Sequence, residues 1–184
     1  MGDVVIYNYA TASTPGVSFP GYPNNFTEVN QPGVRGLMCL ETPWWSATVV
    51  ACSTHLPTGD GDANRADLVN QIVSKTQQWV NAGKIVVVGG DLNLDPQNNW
   101  LNPMYTQRYG GTGSFNDIHQ LVCRCRSDSN VWTAESNSGN RRKIDYVFVN
   151  YPFVRWDSAA NVSFFPDSGS SHLGIRANFT LDLP

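Results

Sequence analysis

Four short segments each end an apolar run with groups that can chelate a cation or move a proton: Ser53-Thr54-His55-Leu56, Gly90-Asp91-Leu92-Asn93, Ile144-Asp145-Tyr146 and Ser170-Ser171-His172-Leu173. His55 and His172 are the proton-transferring members, because an imidazole titrates near neutral pH. Asp91, Asn93 and Asp145 supply oxygen ligands or hydrogen-bond partners. Each segment alone also has a structural reading. A single histidine after a strand more often bonds its surroundings, and an Asp-x-Asn commonly makes a turn through neighbouring backbone. Asp145 is the odd one, since a carboxylate inside Ile-Asp-Tyr-Val-Phe-Val needs a partner once buried.

The elements that must position these groups are readable from pattern. Asp3 to Tyr9 reads as a strand, and the Pro- and Gly-rich stretch from Thr11 to Gln31 as a long loop. Leu37 to Leu40 and Ala47 to His55 read as two adjacent strands, followed by a turn in which Asp60 or Asp62 caps a helix. That helix is set by Leu68, Val69, Ile72, Val73, Thr76, Trp79 and Val80, which share one face at three-to-four spacing, and it ends at Gly83. Lys84 to Val88 is a continuous apolar run, as in a strand buried on both faces, and Gly89-Gly90 is expected to stop it. Asp91 then falls just past the carboxyl end of a central strand, where ligands often bind. Asp95 to Asn116 reads as loop, Asn116 to Val122 as a short helix, and Val131-Trp132-Thr133 as a strand. Lys143 to Val149, Asn161 to Phe165 and Ile175 to Leu183 are the remaining strands, with Gly169 to His172 a loop before the last.

Composition narrows the function classes. The chain has 184 residues, 41% hydrophobic and 15% charged, which suits one folded domain spanning 1–184 and excludes a disordered chain. Twelve Lys and Arg against fifteen Asp and Glu give a net charge of −3, unlike a non-specific DNA-coating protein. The only dense basic cluster is Arg141-Arg142-Lys143, open to reading as a nucleic-acid phosphate contact or as a solvated turn. No apolar run is long enough to span a membrane. Scarce lysine, abundant Asn, Ser and Thr, sequons at Asn25, Asn161 and Asn178, and an even four cysteines point to a secreted protein. Cys39 and Cys52 sit on neighbouring strands and suit either a disulfide or two buried thiols. Cys123 and Cys125 are spaced too closely for a zinc knuckle.

Taken together and in this order, the four segments resemble the endonuclease/exonuclease/phosphatase superfamily, the DNase I-like proteins. The family's G-D-x-N stands here as Gly90-Asp91-Leu92-Asn93, its T-H-L as Thr54-His55-Leu56, its R-I-D-Y as Lys143-Ile144-Asp145-Tyr146, and its closing S-D-H as Ser170-Ser171-His172. The resemblance implies an α+β fold, a four-layer sandwich of two packed mixed sheets flanked by helices. It implies a metal-dependent phosphodiester hydrolase using Mg2+ or Mn2+, most readily an endonuclease acting on nucleic acid. It leaves open a phosphatase or phospholipid phosphodiesterase of the same fold. Carried over residue by residue, His55, Asp91, Asn93, Asp145 and His172 would be catalytic. Asp91 and Asn93 would lie at the metal. Asp145 would orient His172, as the third member of a triad does.

Two departures modify that expectation. Ser171 stands where the family carries an Asp, so one carboxylate is gone, and Asp167 is the nearest substitute in sequence. The family's opening strands, with an Asn and then a Gln-Glu, have no counterpart. Asp3 to Tyr9 resembles a later strand, neither Glu28 nor Glu41 has the right context, and Gln31 falls where the DNase I branch has a Glu. The expectation is a domain incomplete at its N-terminus, completed by further sequence or by a partner chain. A catalytically degenerate domain serving as a binding module is the rival reading.

Overall fold

The computed structural model of the chain describes residues 37–44, 46–58, 62–128, 130–150, 161–166 and 170–178. The expected strand Asp3 to Tyr9, the loop Thr11 to Gln31, Asp60, Asp167 and the stretch beyond Asn178 lie outside them. The strands are β1 (Leu37–Trp44), β2 (Ala47–His55), β3 (Ile85–Asp91), β4 (Phe115–Asp117), β5 (Ala134–Glu135), β6 (Arg141–Arg142), β7 (Asp145–Asn150), β8 (Asn161–Pro166) and β9 (Leu173–Asn178). The helices are α1 (Asp62–Asn81) and α2 (Ile118–Cys123).

One mixed sheet of five strands runs β1-β2-β3-β7-β4, and β5-β6 and β8-β9 form two-stranded ribbons. Strands β2 and β3 are parallel and joined through α1, which a tight turn cannot do. Ile85, Val86, Val87 and Val88 are all buried, which is why this run takes the central position. The expected helical face is the one used. Leu68, Val69, Ile72 and Thr76 are buried, and Val73, Trp79 and Val80 pack against the same core. Facing them from the sheet, Tyr146 and Phe148 stack with centroids 5.2 Å apart, and Tyr105 meets Phe148 edge-on at 5.2 Å.

Three expectations need correction. Gly89-Gly90 does not end β3, because both residues remain paired, Gly90 opposite Tyr146 and parallel to Thr54. Gly90 has φ +143, and a Cβ there would fall 1.8 Å from the Thr54 carbonyl oxygen. A glycine is therefore what lets β2 and β3 stay in register up to Asp91. The helix expected over Asn116 to Val122 begins only at Ile118, since Phe115–Asp117 pairs with β7 as β4. Asp117 caps it, forming a reciprocal capping box with Gln120. Finally, Val131-Trp132-Thr133 is not itself a strand; the paired residues begin at Ala134.

Both cysteine pairs are disulfides. Cys39 and Cys52 are directly opposite each other on β1 and β2, and Cys123–Cys125 closes the end of α2, where Arg124 has φ +57.

Candidate active site

Register brings three of the five candidate residues into one row. His55 is the parallel partner of Asp91, and Asp91 is the antiparallel partner of Asp145. The row therefore crosses β2, β3 and β7 where β2 and β3 end and β7 begins. His55 Nε2 lies 3.4 Å from Asp91 Oδ2. His172 joins from outside the sheet: it bridges Ala134 of β5, and its Nδ1 lies 2.9 Å from Asp145 Oδ2. The result is two imidazole–carboxylate pairs side by side. Oxygens of Asp91 and Asp145 and a ring nitrogen of His172 lie within 4.8 Å of one another.

Asn93 completes the group in a way its type alone does not reveal. It sits at φ +52, a conformation that Asn tolerates better than most residues. Its backbone N–H donates to Asp91 Oδ1 at 2.8 Å, and its side-chain amide donates to Asp91 Oδ2 at 3.2 Å and to the Leu56 carbonyl at 2.8 Å. Both amide protons are thus committed to acceptors that can only accept, leaving Oδ1 as its remaining polar atom. Arg65 donates to the Asn93 carbonyl at 2.9 Å and ties this turn to α1.

Asp91 and Asp145 are both buried, 4% and 7% exposed, so their negative charges stand close together away from water. Such a pair is stabilised by cations, by donors, or by both. The donors are in place. A metal ion also fits the donor set: one oxygen each from Asp91 and Asp145 and a ring nitrogen of His172 lie close enough to share a divalent cation, with water completing its shell.

Residues that sequence reading passed over hold this arrangement. Thr133, fully buried, accepts the backbone N–H groups of Ile144 and Asp145 on one hydroxyl, each at 2.9 Å. Its carbonyl accepts Leu173 N–H at 2.7 Å, and Glu135 N–H donates to the Ser171 carbonyl at 2.9 Å. One residue therefore fixes the strand bearing Asp145 and the segment bearing His172. Nothing in the run Val131-Trp132-Thr133 marked it beyond a β-branched residue in a strand-like context.

The basic cluster divides: Arg141 and Arg142 are exposed, as in a solvated turn, and Lys143 is not. Lys143 is buried, with Nζ 2.7 Å from Asp117 Oδ2, 3.2 Å from the Asp145 carbonyl and 3.7 Å from the centre of the Tyr146 ring. Burial pushes its pKa down, against the pull of Asp117. Arg142 grips Asp95 with two bonds of 3.0 and 2.7 Å, which raises its pKa, and Arg141 pairs with Glu135 at 3.1 Å. Ser171 is exposed beside His172 and brings no charge to the site.

With this geometry in hand, the architecture can be compared with solved structures. A truncated Caenorhabditis elegans TDP2 superposes with a TM-score of 0.64 at 17% identity, covering 85% of this chain and 65% of that one. A Bacteroides thetaiotaomicron mannosyl-6-phosphatase gives 0.56 at 13% identity, covering 80% and 57%. The D. rerio TDP2 complexed with a single-strand DNA product gives 0.55 at 16% identity, covering 79% and 62%. The chain shares the DNase I-like fold of these structures. It spans about two-thirds or less of the length of these structures. No protein-family model matches its sequence, and no curated protein does. The likeness therefore lies in the backbone rather than in overall sequence identity.

Proposed function

We propose that this chain hydrolyses phosphate esters with the help of a divalent cation, and that nucleic-acid phosphodiesters are within its substrate class. The reading is carried by one observation: the Asp91–His55 and Asp145–His172 pairs adjoin at the end of the central strands. The DNA product bound to one structural neighbour, and the phosphatase activity named for another, support the ester class. Two disulfides support an exported protein.

Asp91, Asp145 and the Asn93 Oδ1 would hold magnesium or manganese. When bound, the ion supplies positive charge against the phosphoryl oxygens. The protein's own groups divide the remaining work. Asp91 accepts two hydrogen bonds from Asn93, which fix its carboxylate in place to orient the attacking water. With His172 Nδ1–H held by Asp145, Nε2 is the nitrogen presented to water or to the leaving oxygen. His55, across the row, meets the phosphate from the other side.

The competing reading is a binding module on a degenerate site, and Ser171 is the residue that favours it. Plasmid nicking and hydrolysis of a chromogenic phosphodiester, with Mg2+ or Mn2+ and after chelation, separate the two. The hydrolase reading expects chelator-sensitive turnover that rises about 10²-fold in Ser171→Asp, within the usual range for an acid–base group. No turnover from either form, with both folded, would assign the site to binding.

A further inference from the structure

The two disulfides stand in opposite surroundings. Cys39 and Cys52 are each 1% exposed and belong to the hydrophobic core. Cys123 and Cys125 are half-buried at the end of α2, and Val122 and Arg124 beside them are exposed. We propose that Cys123–Cys125 is a thiol-exchange site: a small anionic thiol attacks Cys125 Sγ, forms a mixed disulfide there and releases Cys123 as a thiolate. The site holds whether or not the Asp91–Asp145 cluster turns over esters.

Ring size and access single out this pair. Only Arg124 separates the two cysteines, and it sits at φ +57, in the left-handed region that costs a side chain more than it costs glycine. Opening the ring removes one of the constraints that hold Arg124 there. Exposed disulfides are the labile ones, whereas sulfurs packed in a core lie out of a thiolate's reach.

The surroundings also decide which sulfur leaves. Cys123 Sγ accepts the Cys125 backbone N–H at 3.2 Å, and His119 Nδ1 lies 3.9 Å away. N–H groups at these positions favour charge on Cys123, so Cys125 is the sulfur attacked. The carboxyl end of α2 opposes that charge, but the helix is only six residues long. In the first step the incoming thiolate shares its electron pair with Cys125 Sγ, the S–S bond breaks, and the pair departs on Cys123. A second thiolate attacks the outer sulfur of the mixed disulfide and releases Cys125. Two thiols are oxidised to one disulfide, the protein disulfide is reduced, and two protons pass to the cysteines.

Positive charge gathers at this end of the helix. The Tyr109 hydroxyl donates to the Gln120 carbonyl at 3.3 Å, and the exposed Arg108 and Arg124 both act electrostatically on that hydroxyl. Asp128 is the acid on the same stretch of chain. A thiol bearing carboxylates is drawn to the two arginines, and a neutral one is not. The flanks are anchored as well. Arg126 donates to the carbonyls of Pro96, Asn98 and Tyr109 and lies over the Tyr105 ring at 4.4 Å, while the Asp117–Gln120 capping box holds the other end of α2. The backbone on both sides therefore stays in place when the ring opens, which keeps the sulfurs close enough to reclose.

The experiment treats the natural chain with reduced glutathione, an anionic tripeptide thiol, quenches with N-ethylmaleimide and maps every cysteine by mass spectrometry. Cys123–Cys125 should open about 10²-fold faster than Cys39–Cys52, with glutathione on Cys125 and maleimide on Cys123. Glutathione disulfide should then close the ring again. Arg124→Glu should slow the reaction with glutathione about threefold and leave that with uncharged mercaptoethanol nearly unchanged. Far-UV circular dichroism follows the fold throughout, since general unfolding would open both pairs together. Equal rates for the two disulfides, or no opening at millimolar glutathione, overturn the site. Glutathione found on Cys123 overturns the assignment of the leaving sulfur, and equal slowing of both thiols by Arg124→Glu overturns the preference for an anion.

Discussion

His55 and Asp91 ride on β2 and β3, inside a five-stranded sheet whose central strand is buried on both faces. His172 reaches Asp145 differently, from the start of a two-stranded ribbon whose described contacts with the rest are a bridge at Ala134, the hydrogen bond to the Thr133 carbonyl and packing such as that of Phe164 against His119. One half of the site is thus placed by continuous pairing and close packing. The other is placed by a few hydrogen bonds at a seam. Packed sheets open rarely and as units, while segments with few buried contacts open locally at much lower cost. The comparison implies that the first pair sets where chemistry happens, and that the second pair is the more easily disturbed.

The sharpest way to break this arrangement is to remove a charge and keep the shape. Asp145→Asn retains an oxygen for His172 Nδ1–H but loses the negative charge beside the ring and at the candidate cation site. Turnover should fall about 10³-fold. Thermal unfolding should stay nearly unchanged, which separates a chemical loss from a folding one. A melting temperature that drops along with turnover would show that the seam depends on this ion pair for its structure as well.

Thr133→Val tests the seam itself. The substitution keeps volume but removes the acceptor shared by the Ile144 and Asp145 N–H groups, leaving two buried donors without it. The expected cost is about 3 kcal/mol in chemical denaturation, given the usual penalty for a stranded buried donor. Faster amide exchange should appear at Leu173, and Thr133→Ser should recover most of both. Uniform exchange over the whole sheet would instead mean that the two halves open together.

These two residues also mark what a sequence can and cannot reveal. His55, Asp91, Asp145 and His172 were legible because each follows or opens an apolar run with strand periodicity, and strands that pair bring their ends together. The helix over α1 was legible for the same reason: a repeating apolar face is a strong signal. Thr133 was not, because its role depends on a hydroxyl meeting backbone groups far along the chain, and no spacing rule encodes that. Lys143 misled for a related reason. Beside Arg141 and Arg142 it looks like part of a surface patch, yet it points inward to a partner, Asp117, visible only once β4 lies against β7. Local pattern gives elements; polar pairing across elements needs the fold.

The disulfides extend the comparison to the unfolded chain. Cys39–Cys52 spans 13 residues and staples the outer hairpin of the packed half, whereas Cys123–Cys125 spans only 2. Loop-closure entropy makes the first worth about 3 kcal/mol and the second about half of that. Selective removal through paired Cys→Ala changes, followed by urea unfolding, should give that order. Equal losses would mean that native packing around Cys123 outweighs loop closure there.

The smallest expected effect is one of pH. His119 on α2 lies edge-on to Phe164 of β8, with ring centres 6.0 Å apart, at the contact between the helix and the outer ribbon. Burial lowers its pKa below the usual 6.5; Lys143 acts in the same direction, and Asp117 and Asp128 oppose them. Because the folded state then disfavours the proton, the unfolded chain binds more of it between the lowered pKa and the ordinary one. Stability from this group is therefore complete above the ordinary pKa and lost as pH falls through the lowered value. Unfolding free energies measured at neutral and mildly acidic pH should show a steeper decline for the natural chain than for His119→Gln, the difference isolating this ring from His55 and His172. Amide exchange of β8 and β9 should rise first on acidification, ahead of β2 and β3. Protection lost from all four strands at the same pH would mean that the ribbon and the sheet form one cooperative unit, and the contrast between the two halves of the site would then lie in chemistry alone.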